Sequence, residues 1–299
     1  MSESMKKIAL LFAVVATVAV AFAETPLPES LAKLPVVKGS KRISKELKPG
    51  VTYHQVHFEN FTGDGPLAAY FLVIDWTKVD KDFTLAVVPG KDGNRSRPSD
   101  LANGTKGAFA AVNGVYHQMT DPYVAFYARK IDGVVSKSTH ASGDGCLAFN
   151  RGEMPYIGRF SKEAFAKYAN VISADGMPGY NPKEATMTPS ERQACRAPRT
   201  NAGNISSNRV TVIVVADGRQ GRSTGLSYSE ARKLLEMWGC DQMTNLDGGG
   251  SSVMAVEAEV GMKPTMTNGK FKIMNVPSDG LPIKSFERRV SESLMLLDK

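Results

Sequence analysis

What most limits how this chain can fold is a rhythm of short β-prone runs cut by Asp-Gly pairs. From Val51 onward, Tyr53, Gln55, His57 and Glu59 alternate with Val56 and Phe58, and the runs 68–76 and 83–88 are apolar and β-rich. Asp64-Gly65, Asp92-Gly93, Asp132-Gly133 and Asp144-Gly145 punctuate them. Asp-Gly suits a tight turn because glycine takes up positive φ without steric cost and aspartate tolerates it. With 42% hydrophobic and 22% charged residues, there is enough apolar material for a sizeable core. No long low-complexity linker divides the chain, so a single main domain is expected over residues 51–299. The Pro-, Lys- and Ser-rich residues 24–50 are expected to lead into it as an extended segment.

Helical signals are few, which sets the expected class as α+β: a β-rich mixed sheet with flanking helices. Residues 161–170 read either as a short helix or as part of a loop. Residues 173–208 hold so much Pro, Gly, Asn and Ser that no core element is expected there, and a long ordered loop of this kind is often functional. The clearest unit lies in 209–251. Residues 209–216 form a β-branched run, which reads as a buried strand ended by Asp217-Gly218. Ser227-Tyr228-Ser229-Glu230 is a capping box. Ala231, Leu234, Leu235 and Trp238 follow at helical spacing on one face, and Gly239 is a plausible stop. Residues 242–246 read as a second strand, with Asp247-Gly248-Gly249-Gly250 at its end.

The first 23 residues combine Met5-Lys6-Lys7, a short apolar run over 8–20 and Ala21-Phe22-Ala23. This is the pattern of a secretory signal peptide, too short for a comfortable bilayer span. A periplasmic or extracellular location is therefore expected, without stable membrane insertion after cleavage. The three cysteines, Cys146, Cys195 and Cys240, leave any disulfide pairing open. None has the CxxC spacing of a zinc or thioredoxin-like site, and no metal or cofactor is expected. The net charge of +7 is scattered, with no basic stripe or nucleic-acid motif. It is compatible with an anionic substrate.

Three successive glycines cost backbone entropy, a cost justified where a chain must bend sharply or present amides to an anion. Asp247 sets a carboxylate beside them. The loop is not a P-loop, since no Gly-Lys-Ser/Thr follows, and Ser251 is not in a nucleophile elbow. The segment Asn245-Leu246-Asp247-Gly248-Gly249-Gly250-Ser251 resembles the signature of the phosphodiester glycosidases. Further blocks match that family in order. They are Ala111-Val112-Asn113-Gly114, Asn170-Val171-Ile172-Ser173, Pro198-Arg199-Thr200-Asn201-Ala202-Gly203, the strand ending at Asp217-Gly218, Asn275-Val276-Pro277-Ser278-Asp279-Gly280, and Arg288-Arg289-Val290-Ser291. The chain departs from the family at Val115-Tyr116-His117, where Gly-Phe-Phe is usual, and in an insertion before Arg199.

The resemblance implies hydrolysis of a sugar-1-phosphodiester in a glycan or glycolipid, between the anomeric carbon and phosphate. Glycoside cleavage normally uses two carboxylates, but a phosphate ester already leaves well, so a cation on the departing phosphate matters more. Arg199 suits that role, because a guanidinium binds two phosphate oxygens at once. Asp247 is the candidate carboxylate at the sugar, as base, nucleophile or hydroxyl ligand. Asn113, Gly114, Thr200, Asn245 and Ser251 are candidate substrate contacts, with the amides of Gly248, Gly249 and Gly250 offered to phosphate. Each has a plainer reading: Arg199 as an ion-pair partner, Asn113 as a turn residue, Asp217 and Asp279 as turn formers, His117 and His140 as ordinary histidines. The competing functions are a non-catalytic carbohydrate-binding or cell-envelope module on the same fold, and a phosphodiesterase cutting the P–O bond.

Overall fold

A computed structural model describes residues 24–61, 65–91, 94–120, 123–140, 143–174, 187–257, 264–280 and 284–298. The signal peptide, the full Asp64-Gly65 and Asp92-Gly93 turns, and the greater part of the insertion lie outside these residues. In chain order the strands are β1 Ile43–Lys48, β2 Val51–Phe58, β3 Leu67–Asp75, β4 Phe83–Pro89, β5 Ala108–Asn113, β6 Arg129–Ile131, β7 Val134–Ser136, β8 Gly145–Phe149, β9 Tyr156–Arg159, β10 Asn170–Ala174, β11 Arg199–Ile205, β12 Val210–Ala216, β13 Gln242–Asn245, β14 Met254–Val256, β15 Met266–Asn268, β16 Phe271–Ile273 and β17 Glu292–Asp298. The helices are α1 Glu29–Ala32, α2 Pro98–Gly104, α3 Lys162–Lys167, α4 Pro189–Ala194 and α5 Tyr228–Trp238.

The strands form three sheets: β1-β2-β3-β12-β11-β13, β7-β6-β10-β8-β9, and β15-β16-β14-β5-β17-β4. The fold is α+β and strand-rich, as expected, but its ladders are antiparallel where a mixed sheet was expected. The strand–helix–strand unit explains the difference. Strands β12 and β13 run parallel to one another, yet β11 lies between them and opposes both.

Strands β2, β3, β11 and β12 of the first sheet are buried on both faces. Tyr53, Tyr70, Leu72, Ile213 and Val215 enter the main core, where they meet Leu85, Val112, Leu294 and Leu296 of the third sheet and Leu147 and Phe149 of the second. Phe58, Phe71, Val212 and Val214 point the other way, onto Ala231, Leu234, Leu235 and Trp238 of α5. Helix α2 covers the outer face of the third sheet through Leu101 and Ala102. Period-2 alternation is weak in β2, β3 and β12 because apolar partners wait on each side.

Helix α5 begins as its sequence predicts. Ser227 Oγ accepts from Glu230 N at 3.3 Å and Glu230 Oε2 accepts from Ser227 N at 2.8 Å. Gly239 ends it in the left-handed region at φ 89°. Replacing Ser227 with alanine is expected to cost about 1 kcal/mol, read as a lowered midpoint in denaturant. Asp132 and Gly133, at φ 47° and 84°, form the tight hairpin that joins β6 to β7.

Two expectations are revised and one open reading is resolved. Residues 24–50 are not simply an extended lead-in: they carry α1 and the edge strand β1, whose Lys and Ser residues face solvent and hide its periodicity. Within 161–170 the helix is α3 alone, capped by Ser161, and Asn170 already opens β10. The stretch 173–208, expected to hold no core element, contains β11, an interior strand of the first sheet between β12 and β13. Its Thr200, Asn201 and Asn204 are buried polar side chains with distant partners, so composition alone conceals the strand. The three cysteines are free; Cys146 and Cys240 are buried, which pushes each thiol up to about 12.

Candidate active site

Strands from two facing sheets end at one place: β5 delivers Asn113, β11 begins at Arg199, and β13 runs into Asp247. A knot of hydrogen bonds fixes them. Asn113 Nδ2 donates to the Asp247 carbonyl at 2.7 Å, and Asn113 Oδ1 accepts from Thr200 Oγ1 at 2.8 Å and from Val253 N at 3.2 Å. Asp247 N donates to the Gly114 carbonyl at 3.0 Å, Leu246 N to Thr200 at 2.8 Å, and Gly249 N to Pro198 at 2.9 Å.

The structure thus brings the sequence-chosen residues together but separates them into two groups. Asn113, Thr200 and Asn245 have no solvent exposure. Asn245 accepts from Asn201 and donates to the Tyr116 hydroxyl at 3.1 Å. Gly114 is glycine because an added Cβ would lie 2.7 Å from the Glu292 side chain. These four hold the site in shape from behind. Asp247, Arg199, Gly248, Gly249 and Gly250 instead line a cleft of about 390 Å³.

Asp247 Oδ1 accepts from Gly248 N at 2.8 Å. Burial raises its carboxyl to about 6, against the opposing pull of hydrogen bonds from Ser251 and Gly248 and of the Arg288 charge. A carboxyl poised there exchanges protons near neutral pH, as a functional acid or base must. Behind it, His117 Nδ1 lies 3.8 Å from Asp247 Oδ2, beyond hydrogen-bond distance. Burial lowers the His117 pKa, so the ring is neutral at pH 7. Glu292, fully buried, accepts from Val115 N at 2.9 Å, pairs with Arg129 and receives the Ser291 hydroxyl.

Arginines dominate the other wall. The Arg199 guanidinium stacks 3.9 Å above the Tyr228 ring, and its Nε and Nη2 donate to the carbonyls of Leu226 and Cys195, both at 3.1 Å. It can therefore hold an anion only by its Nη edge. Arg288 is gripped by both Asp279 oxygens at 2.6 Å and reaches toward Ser251 Oγ at 3.5 Å. Arg219, at φ 60°, lines the same cleft, and its Nη1 would stand 3.3 Å from a Cβ added at Gly249, itself at φ 60°. Arg196, also in the cleft, is paired with Glu230 of the capping box. Asp217 is not merely a turn former: wholly buried, it binds Arg222, Tyr70, Asn275 and Val276 N. Asp279 is the anchor of Arg288.

Sequence reasoning assigned no role to Arg219, Arg288, Tyr116 or Tyr228, and set His117 aside. Arg288 lay in a matching block and Tyr228 inside the capping box, so both had a signal; Arg219 had only its place after Asp217-Gly218. Gly250 shows how tightly the loop fits, since an added Cβ would stand 1.8 Å from Asp279 Oδ1 and 2.4 Å from Arg288 Nη2. Gly250→Ala is therefore expected to displace the Arg288–Asp279 pair, cutting kcat/KM at least about tenfold and costing about 2 kcal/mol of stability. Steady-state kinetics and thermal melting check it.

Comparison with known proteins bears on this cleft. A catalytic domain of zebrafish N-acetylglucosamine-1-phosphodiester alpha-N-acetylglucosaminidase superposes with a TM-score of 0.63 at 14% identity, over 89% of this chain and 87% of that one. A candidate exported protein of Burkholderia pseudomallei superposes with a TM-score of 0.65, also at 14% identity, over 91% and 99%. At that identity the likeness shows a shared fold. In sequence, the SPbeta prophage-derived protein YomE of Bacillus subtilis is 31% identical over an alignment of 175 positions that covers 55% of this chain; the chain spans 24% of YomE's length. Residues 106–297 match the phosphodiester glycosidase family and contain every residue of the cleft, and the chain belongs to that family.

Proposed function

We propose that the protein is an exported glycosidase that hydrolyses a sugar-1-phosphodiester bond of the GlcNAc-1-phosphodiester type. The observation that carries this reading is a single carboxyl raised to about 6, Asp247, facing Arg199, Arg219 and Arg288 across one cleft. In this reading the phosphate rests on the arginine wall and the glycine amides, and the anomeric carbon faces Asp247. The bond from anomeric carbon to oxygen breaks and its electron pair leaves with the phosphate, where the guanidinium charge stabilises it. Asp247, ionised, attacks the sugar carbon or takes the proton of the water that does. Asn113, Gly114, Thr200 and Asn245 act as positioning residues rather than as substrate contacts. The name of the zebrafish protein supports the reaction class. The basic and apolar start of the chain supports export, and no helix among the described residues is long and apolar enough to cross a membrane.

The test is incubation of the purified protein with a GlcNAc-1-phosphodiester and a panel of other sugar-1-phosphodiesters. Release of free sugar is the expected result. Heavy-oxygen water then separates the chemistry: label in the sugar marks C–O cleavage, label in the phosphate marks a phosphodiesterase. Binding without any turnover would instead favour a carbohydrate-binding module. Because Asp247 works ionised, kcat/KM is expected to rise with pH through about 6 and then level off. A profile flat between pH about 5 and 8 would remove Asp247 as the titrating group.

A further inference from the structure

The cleft does not end at Arg288. That residue also lines a second depression of about 310 Å³, together with Arg95, Arg97, Phe286 and Arg289. Arg95 and Arg289 in turn line a third, of about 580 Å³, with Lys91, Asn94, Asn103 and Asn268. Arg288 is common to the cleft and the second depression, and Arg95 and Arg289 to the second and third, so the three adjoin in that order away from the cleft and are taken together as one groove.

Its charge is one-sided. Three carboxylates border it, and each is engaged. Asp279 is held by Arg288, Glu287 accepts from Ser99 N and Oγ, and Asp100 accepts from Asn268. Burial also raises the Glu287 carboxyl and so favours its neutral form. Lys91, Arg95, Arg97 and Arg289 have no ion pair among the described residues. Arg95 is the most fixed of them, its guanidinium 4.2 Å above the Tyr123 ring, with Nε buried and without an acceptor. Beside these cations stand Phe286 and Met119, exposed at 48% and 50%. Cations spaced along a groove with apolar faces between them suit a ligand in which anionic groups alternate with sugar rings.

We infer that this groove binds the leaving-group side of the substrate, and that the substrate carries further phosphates there: a chain of sugar phosphates rather than an isolated diester. The inference rests on the function proposed above. It fixes direction as well, because the groove departs through Arg288, on the phosphate wall. The groove cations would then add affinity without touching the bond that breaks.

The test uses two probes, methyl GlcNAc-1-phosphodiester and a synthetic trimer of GlcNAc-1-phosphate repeats, with calorimetry on the Asp247→Asn protein so that binding is read without turnover. The trimer is expected to bind at least about tenfold more tightly than the methyl diester at about 50 mM salt, and to lose most of that advantage near 200 mM. Arg97→Gln with Arg289→Gln is expected to abolish the advantage. In a protein with Asp247 intact, the same double variant should leave kcat/KM for the methyl diester unchanged. Equal affinity for both probes, or a double variant that binds the trimer as well as its parent, would overturn the groove. Single-stranded DNA of matched charge binding as tightly as the trimer would also overturn it, by showing a polyanion surface without sugar recognition. Failure of the glycosidase reading is seen separately, as no sugar released from either probe.

Discussion

Asp247→Asn is expected to abolish turnover and yet to make the protein more stable at neutral pH. The catalytic part follows from its position: with the only raised carboxyl of the cleft gone, kcat should fall by about a thousandfold or more. The stability part follows from linkage. Folding raises the pKa from 3.8 to about 6, so the folded state binds the proton more strongly than the unfolded chain does. A raised carboxyl contributes its full stability below the unfolded value and loses it as pH rises through the folded one. At about pH 7.5 the ionised, buried group therefore costs up to roughly 3 kcal/mol, which asparagine would not. Differential scanning calorimetry should show Tm higher by several degrees in the variant at that pH, with the gain vanishing near pH 4. A lower Tm at both values would mean that the carboxylate instead holds the glycine loop together.

The second large effect concerns Glu292, a buried carboxylate paired with Arg129 whose side chain is only 12% exposed. Glu292→Ala removes the acceptor for Val115 N and strands the Arg129 charge. The expected cost is about 3–5 kcal/mol, with Tm falling by about 10 °C. Removing both charges, as Arg129→Met with Glu292→Met, should recover much of that loss, since an apolar pair avoids the desolvation of either ion. If the double variant is as unstable as the single one, the pair is not what holds this region, and the backbone bond to Val115 is.

The parts of this fold that could be read from the sequence are those whose causes are local. The capping box at Ser227 and the Asp132-Gly133 hairpin need only neighbouring residues, and both form as read. The glycine loop announces itself by composition. Strand β11 does not, because its justification lies elsewhere: Thr200 is satisfied by Asn113 and Asn204 by Pro155, so a polar segment becomes a central strand only once the sheets have closed. The same closure sets the surroundings of the asparagines. Asn113 and Asn245 look like ligand donors in a motif, but their amide groups are used up inside the protein. The arginines were hidden differently. An arginine in a loop is ordinarily a solvated charge, and only the folded backbone shows Arg219 and Arg288 converging on Gly249 and Gly250.

The hydrogen-bonded knot of Asn113, Thr200 and Asp247 joins the first sheet to the third, and this has a kinetic consequence. A site built on a mobile loop can open while the domain stays folded, whereas here the backbone amide of Asp247 is bonded to Gly114, the residue that directly follows β5 of the opposite sheet. Opening that bond means parting the two sheets. Amide hydrogen exchange at Asp247 and Leu246 should then be among the slowest in the chain, proceeding through global opening. Heat inactivation and unfolding should share one rate constant, so that residual activity serves as a direct measure of the folded fraction.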